Sequence, residues 1–338
     1  MFVRFIIAAM TAGPLLLFSP PASAHHAGAP GNSGDTGPIN TISATTAEHG
    51  TWSVSLGFES TSFDPLTDET LETAAAGAVG HAHVHSLDEL QAVTLAATYG
   101  VSDDLMLTVR LPYLMRDGVR TGHFHGGVPE VEDEGGGSGF GDIAALLQWR
   151  VMRGQNTDIA VIAGVKAPTG EDDSSNDLGE TFATEFQPSS GGWDIMLGAA
   201  MTRRAAHWSF DASGLYTLAG ENDDRDDLGD RFAYGLAASY RVLGHPPHHM
   251  HAGIGADYHG PSVDLALELN GEWHGRQHEG SEVDPNSGGS VLFLSPGVRV
   301  VQGSVAGYLT VGAPILSDFR GIQAEPEFRL TAGISRRF

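Results

Sequence analysis

The chain contains no cysteine. That excludes a disulfide scaffold, a thiolate metal site and a cysteine nucleophile. Positive charge is scarce: 18 Lys+Arg stand against 42 Asp+Glu, giving a formal net charge of −24 at pH 7. A nucleic-acid binder needs a basic stripe to meet phosphates, so no nucleic-acid partner is expected. Charged residues of both signs make up 18 %, below the usual ~25 %. Beyond residue 24 no apolar run reaches the ~18 residues of a membrane-spanning helix. Yet 41 % of the chain is hydrophobic, too much for disorder. Its 45 glycines are roughly twice the usual ~7 % share, which suits many strands better than long helices.

What is there begins with an address. Arg4 supplies a positive start, Phe5–Phe18 is mostly apolar, and Ala22-Ser23-Ala24 offers small residues for cleavage. Residues 1–24 therefore read as a secretory signal peptide. Residues 25–49, rich in Gly, Pro, Ser and Thr, read as a flexible periplasmic N-terminal arm. From residue 50 onward the pattern has period 2, as in Trp52, Val54, Leu56, Phe58 and in Ile143, Ala145, Leu147, Trp149, Val151. Such alternation predicts strands with one apolar face.

About twelve strands are predicted, near 50–61, 88–101, 104–115, 140–152, 157–167, 190–203, 206–219, 230–243, 262–274, 290–302, 304–313 and 323–338. Each is about ten residues or more, the length a tilted membrane-crossing strand needs; strands of soluble domains average ~5–6. Short turns alternate with long connections at 62–87, 116–139, 168–189, 221–229, 275–289 and 314–322. The expected fold is all-β: a transmembrane antiparallel β-barrel over 50–338, with a His-rich insert at about 244–261 and both termini periplasmic. Alternation alone does not say which face is wet, so a secreted β-sandwich is the competing fold. Strand length, aromatic residues near strand ends and the terminal Phe338 favour the barrel in the bacterial outer membrane. Its expected partners are outer-membrane lipid and lipopolysaccharide, and the barrel-assembly machinery through the strand ending in Phe338.

If the apolar parity faces lipid, the other parity lines the lumen. That assigns Arg110, Arg150, Lys166, Asp194, Asp211, Arg241, Glu268, Glu272, Arg299, Glu327 and Arg329 inward. Both signs are present, so a single-sign filter is not expected. The 16 histidines cluster. His81, His83 and His85 form one group, His123 and His125 a second, and His245, His248, His249 and His251 a third. Side chains at i and i+2 of an extended segment share a face, so two imidazoles could approach one Zn²⁺, Cu²⁺ or Ni²⁺. Such residues also occur simply as polar loop surface. No cofactor is required by the sequence; a divalent transition metal is the candidate. There is no Gly-x-Ser-x-Gly elbow, no His-Glu-x-x-His and no phosphate-binding loop, so no catalytic residues are assigned.

An ordered set of segments carries a family resemblance. It comprises Tyr99-Gly100-Val101-Ser102-Asp103-Asp104-Leu105, Val109-Arg110-Leu111-Pro112-Tyr113, Gly139-Phe140-Gly141-Asp142-Ile143 and Gly164-Val165-Lys166-Ala167-Pro168-Thr169-Gly170, then Gly191-Gly192-Trp193-Asp194, Asp284-Pro285-Asn286-Ser287-Gly288-Gly289 and Leu294-Ser295-Pro296-Gly297. Over nearly all of 40–338 the chain resembles the outer-membrane transporters named for the meta-pathway of phenol degradation. The resemblance implies a barrel that passes small molecules, in some members hydrophobic aromatics. The functional expectation is a passive channel or transporter for a small solute. The alternatives are a metal-associated barrel, with metal as ligand or cargo, and an outer-membrane enzyme such as a lipid hydrolase.

Overall fold

The structure, a computed structural model, describes residues 37–77, 84–125, 128–244 and 260–338. In chain order the elements are β1 (Trp52–Asp64), α1 (Asp68–Gly77), β2 (Val84–Ser86), β3 (Glu89–Ser102), β4 (Leu105–His125), β5 (Val128–Phe140), β6 (Ile143–Arg153) and β7 (Thr157–Ala167). They continue as β8 (Asp194–Ala205), β9 (Trp208–Leu218), β10 (Arg231–Leu243), β11 (Ser262–His274), β12 (His278–Glu279), β13 (Glu282–Val283), β14 (Gly289–Gln302), β15 (Val305–Phe319) and β16 (Glu325–Arg337). Twelve long strands form one antiparallel ring: β3, β1, β16, β15, β14, β11, β10, β9, β8, β7, β6, with β4 joining β6 back to β3. The ring is closed by pairing of β1 with β16, from Ser53 opposite Arg337 to Asp64 opposite Glu325.

Burial settles which face is wet. Leu267 is 52 % exposed on the outside, and the next residue, Glu268, is 1 % exposed on the inside. Ile195 and Leu197 are exposed beside a buried Asp194, and Leu265 beside a buried Asp264. A belt of exposed Leu, Ile and Val around buried charges inverts a soluble domain and matches a wall solvated by lipid. Aromatic pairs lie toward the strand ends: Trp52 with Tyr99, ring centroids 4.5 Å apart, and Trp208 with Tyr240, 4.8 Å apart. These rings suit the membrane–water boundary, where one end is apolar and the other wet.

Three expectations change. First, 116–139 is largely strand. β4 continues to His125 and pairs with β5 from Tyr113 opposite Phe140 upward, so the hairpin extends past the wall. Below Tyr113 the same edge of β4 pairs with β6, from Arg110 opposite Ala144 to Leu105 opposite Trp149. The Glu-, Asp- and Gly-rich sequence of β5 lacks alternation because this stretch has no lipid face. Helix α1 packs on the hairpin, burying Leu71 and Ala75. Gly122 permits that approach: a Cβ there would lie 2.6 Å from the Leu71 carbonyl oxygen. Second, Glu327 leaves the inward ladder. The register of β1 with β16 shifts between Ser62 and Phe63, pairing Ser62 with Phe328 but Phe63 with Pro326. Glu327 is the extra residue of this bulge and is exposed, while Pro326 takes the buried position.

Third, the described part of the arm is not a free tether. Residues 37–47 lie inside the barrel, with Ile39, Ile42, Ala44 and Ala47 buried. Its small side chains (Thr41, Ser43, Ala44, Thr45, Thr46) mimic a loop in composition, but they also fit a narrow space between walls. Residues 25–36 and most of the predicted insert, 245–259, fall outside the described residues.

Candidate functional site: a lumen closed at two levels

The inward parity builds a lumen in which several charges pair with opposite charges and others are held by neutral hydrogen-bond donors. Toward the short-turn end, Arg150 reaches Asp104 at 2.9 Å and Asp158 at 3.7 Å, and Arg204 reaches Asp158 at 3.0 Å. Arg241 holds Asp264 through two nitrogens, at 2.6 and 3.0 Å. Arg299 is buried nearby on β14, opposite Asp264 in the register. Asp211 accepts hydrogen bonds from Thr202, at 2.5 Å, and Ser209, at 2.8 Å. Higher up, Lys166 Nζ lies 2.9 Å from Asp142 and 3.1 Å from Asp194, which Arg231 also reaches at 3.2 Å. Arg329 donates to Glu272 at 2.9 Å and lies 4.0 Å over the Phe293 ring. Pairing is what allows this many charges to be buried, since an isolated one would lose its hydration without return.

The lower closure is the segment 37–47. It passes along the inner wall from β11 across β10, β9 and β8 to β6 and the β3–β4 turn. The Glu268 carboxylate accepts the backbone N–H groups of Ile39, Asn40 and Thr41. Ser213 accepts Ile42 N–H at 3.1 Å and Thr202 accepts Ala44 N–H at 2.9 Å. Gln148 Nε2 donates to the carbonyls of Ser43, at 3.0 Å, and Thr45, at 2.9 Å. The segment thus makes no ladder of its own; wall side chains satisfy its backbone. Ile42 and Ala44 pack into an apolar patch of Leu146, Ala160, Ile162, Met196, Ala200 and Leu215. Gly235 on β10 leaves the space for Thr41, whose Cβ would otherwise be 3.1 Å from a Cβ there.

The upper closure is the connection between β7 and β8, at 168–193. Its root is Asp142, which accepts N–H from Thr169 at 3.1 Å and Gly170 at 3.2 Å and the hydroxyl of Ser189 at 2.5 Å. Within it, the Asn176 side chain accepts the N–H groups of Leu178 and Glu180, closing a tight turn with Gly179 at φ +84°. Gln187 braces it from inside by donating to the carbonyls of Ser174 and Phe182. Phe182 and Phe186 insert among Phe63, Leu87, Leu90, Val119 and Ala324. Thr184 donates to Asp226 at 2.8 Å, so the loop is tied to a second long connection. Glu185 is buried; burial, then Asp284 and Glu279, push its carboxyl up to about 8, against the pull of Arg116.

The lumen also holds a cavity lined by the wall strands. Ala92, Ala144, Leu146, Met196 and Leu215 give it an apolar side, and Glu59, Arg110, Lys166, Asp194, Arg231 and Glu272 a charged one.

The histidine expectations divide. His85 Nδ1 meets Thr121 Oγ1 at 2.8 Å, its Nε2 lies 3.7 Å from Glu185, and its ring meets Phe186 edge-on at 5.1 Å. His123 Nε2 lies 3.6 Å from Glu132. Among the described residues no group of three or more His, Asp or Glu is arranged to hold a metal ion. His81, His83, His245, His248, His249 and His251, and the side chain of His125, lie outside the described residues.

Sequence reasoning missed both closures. The upper one left a faint signal: two phenylalanines four residues apart, Phe182 and Phe186, in an otherwise polar connection. The lower one left none, because most of its anchors lie more than 100 residues away on the wall.

Comparison with known proteins places this architecture. No curated protein sequence matches the chain. An outer-membrane channel from Pseudomonas putida F1 has the same fold, with TM-score 0.58 and 16 % identity over 89 % of this chain and all of that one. The translocator domain of the autotransporter NalP from Neisseria meningitidis is similar at TM-score 0.45, with 9 % identity over 86 % of this chain and 90 % of that one. The toluene transporter TbuX of Ralstonia pickettii gives TM-score 0.42, with 10 % identity over 87 % of this chain and 90 % of that one. Residues 73–300 match the family described as the putative MetA-pathway of phenol degradation, about two thirds of the sequence. The chain belongs to that family, as an outer-membrane β-barrel of twelve strands.

Proposed function

We propose that the barrel is a passive outer-membrane channel for a small solute, with the short turns, the approach to β1 and Phe338 on the periplasmic side. The observation that carries this reading is a lumen cavity, lined by both apolar and charged side chains, inside a lipid-facing wall. Its lining joins Leu146, Met196 and Leu215 to the Lys166–Asp194–Arg231 group, which suits a small solute with one apolar and one polar side. The cargo must pass the loop 168–193 to enter and the segment 37–47 to leave. The Pseudomonas putida channel of the same fold supports the general reading and leaves the cargo to experiment.

The test is liposome swelling with the reconstituted mature protein and neutral solutes of graded size. Swelling that is measurable for the smallest solutes and fades with size supports a gated pore. No swelling at any size, together with no conductance in planar bilayers, overturns the reading.

A further inference from the structure

We infer that Glu268 is the latch that holds the segment 37–47 across the lumen. Three successive amides converge on this one carboxylate. Oε1 takes Ile39 N–H at 2.5 Å and Asn40 N–H at 3.2 Å; Oε2 takes Asn40 N–H at 3.1 Å and Thr41 N–H at 2.8 Å. The Thr41 hydroxyl donates to Oε2 at 2.8 Å, and Asn270 Nδ2 at 3.3 Å. Consecutive backbone N–H groups turned toward one anion form a nest, a geometry that selects negative charge.

The other anchors differ in kind. Ser213, Thr202 and Gln148 are neutral and make one or two bonds each. Hydrogen bonds to an ionised group are roughly twice as strong as neutral ones. The dependence is also mutual. Glu268 is 1 % exposed with the segment in place, and backbone amides supply most of its hydrogen bonds. If the segment leaves, lumen water replaces those donors, and the carboxylate is not stranded in an apolar medium. Both arrangements keep the charge solvated, which is the condition for a switch rather than a fixed brace. What release does for transport rests on the channel reading. Whether Glu268 holds the segment does not.

The chain has no cysteine, so one introduced thiol reports without background. Ala44→Cys places it where the side chain is 0 % exposed in the closed arrangement. The measurement is the rate of maleimide labelling in the full-length reconstituted barrel, with folding checked by heat-modifiable gel migration. Adding Glu268→Ala is expected to raise the rate about tenfold or more, as loss of a charged hydrogen-bond set implies. Asn40→Pro deletes one amide donor together with the carboxamide that reaches Asn270 and Thr310, so Asn40→Ala is its control; a rate above that control is expected, and it decides the matter if Glu268→Ala does not fold. Unchanged labelling in folded Asn40→Pro and Glu268→Ala overturns the latch. Conductance separates the two readings. Faster labelling without conductance keeps the latch and removes the channel; conductance indifferent to Glu268, with labelling unchanged, keeps the channel and removes the latch.

Discussion

The two closures are held in opposite ways. The segment 37–47 brings small side chains and open backbone, and the wall supplies the partners: Glu268, Ser213, Thr202 and Gln148. The loop 168–193 brings its own fastenings, with an Asn176 turn, a Gln187 brace and two buried phenylalanines. The first therefore depends on residues far away in sequence. The second is a small folded unit, rooted at Asp142 and docked at its far side through Phe182, Phe186 and Thr184.

Cutting that root is the strongest way to separate the two. Lys166→Met leaves Asp142 and Asp194 buried without their shared cation. Arg231 still reaches Asp194, so the damage falls mainly on Asp142 and the loop it organises. Breaking one side of a buried pair costs about 3–5 kcal/mol. The denaturation midpoint is expected to fall, with new protease cuts within 169–190, while a thiol at position 44 stays protected. If position 44 opens equally, the closures are one unit and the comparison fails.

A weaker lever acts on the upper closure alone. The Glu185 carboxyl is raised from 4.5 to about 8 in the docked loop. Between those values the docked form binds a proton that the undocked form releases. Docking is therefore strongest below about pH 4.5, weakens as pH rises through the window, and reaches its minimum above about 8. Proteolysis of the loop at pH 5 and at pH 8.5 reads this out, and Glu185→Gln should flatten the profile. Faster cutting at the acid end would contradict the assignment. The smallest expected effect belongs to the lower closure. Gln148→Ala removes two neutral donors, worth about 1–2 kcal/mol together. Hydrogen exchange should quicken at 43–46 and stay unchanged at 174–187.

These contrasts explain what could be read from the residues alone. The wall was legible because lipid on one side and a polar lumen on the other force a period of 2 over ten residues and more. Twelve strands followed directly. Where one of those conditions lapses, the signal lapses with it. The outer part of the β4–β5 hairpin has no lipid face, so it does not alternate. Glu327 sits at a bulge, which shifts parity by one residue without changing composition. The segment 37–47 is polar because it borrows its partners from the wall, and a borrowed hydrogen bond leaves no pattern in the borrower. Glu268 was assigned to the lumen, but its occupant was not legible.

One feature of the segment sets how fast it would return to its seat after the release proposed above. The stretch 48–51 ties it to the first strand, with Gly50 turning at φ +77° and its N–H fixed on the Gly100 carbonyl at 2.8 Å. A tether this short keeps a detached segment within reach of its own seat. Its effective concentration there is on the order of millimolar or more. Return is then a unimolecular event that does not depend on how many copies of the protein are present. On the channel and latch readings proposed above, single-channel recording is expected to show short bursts, and a free peptide of the same sequence at micromolar concentration is expected not to prolong the closures.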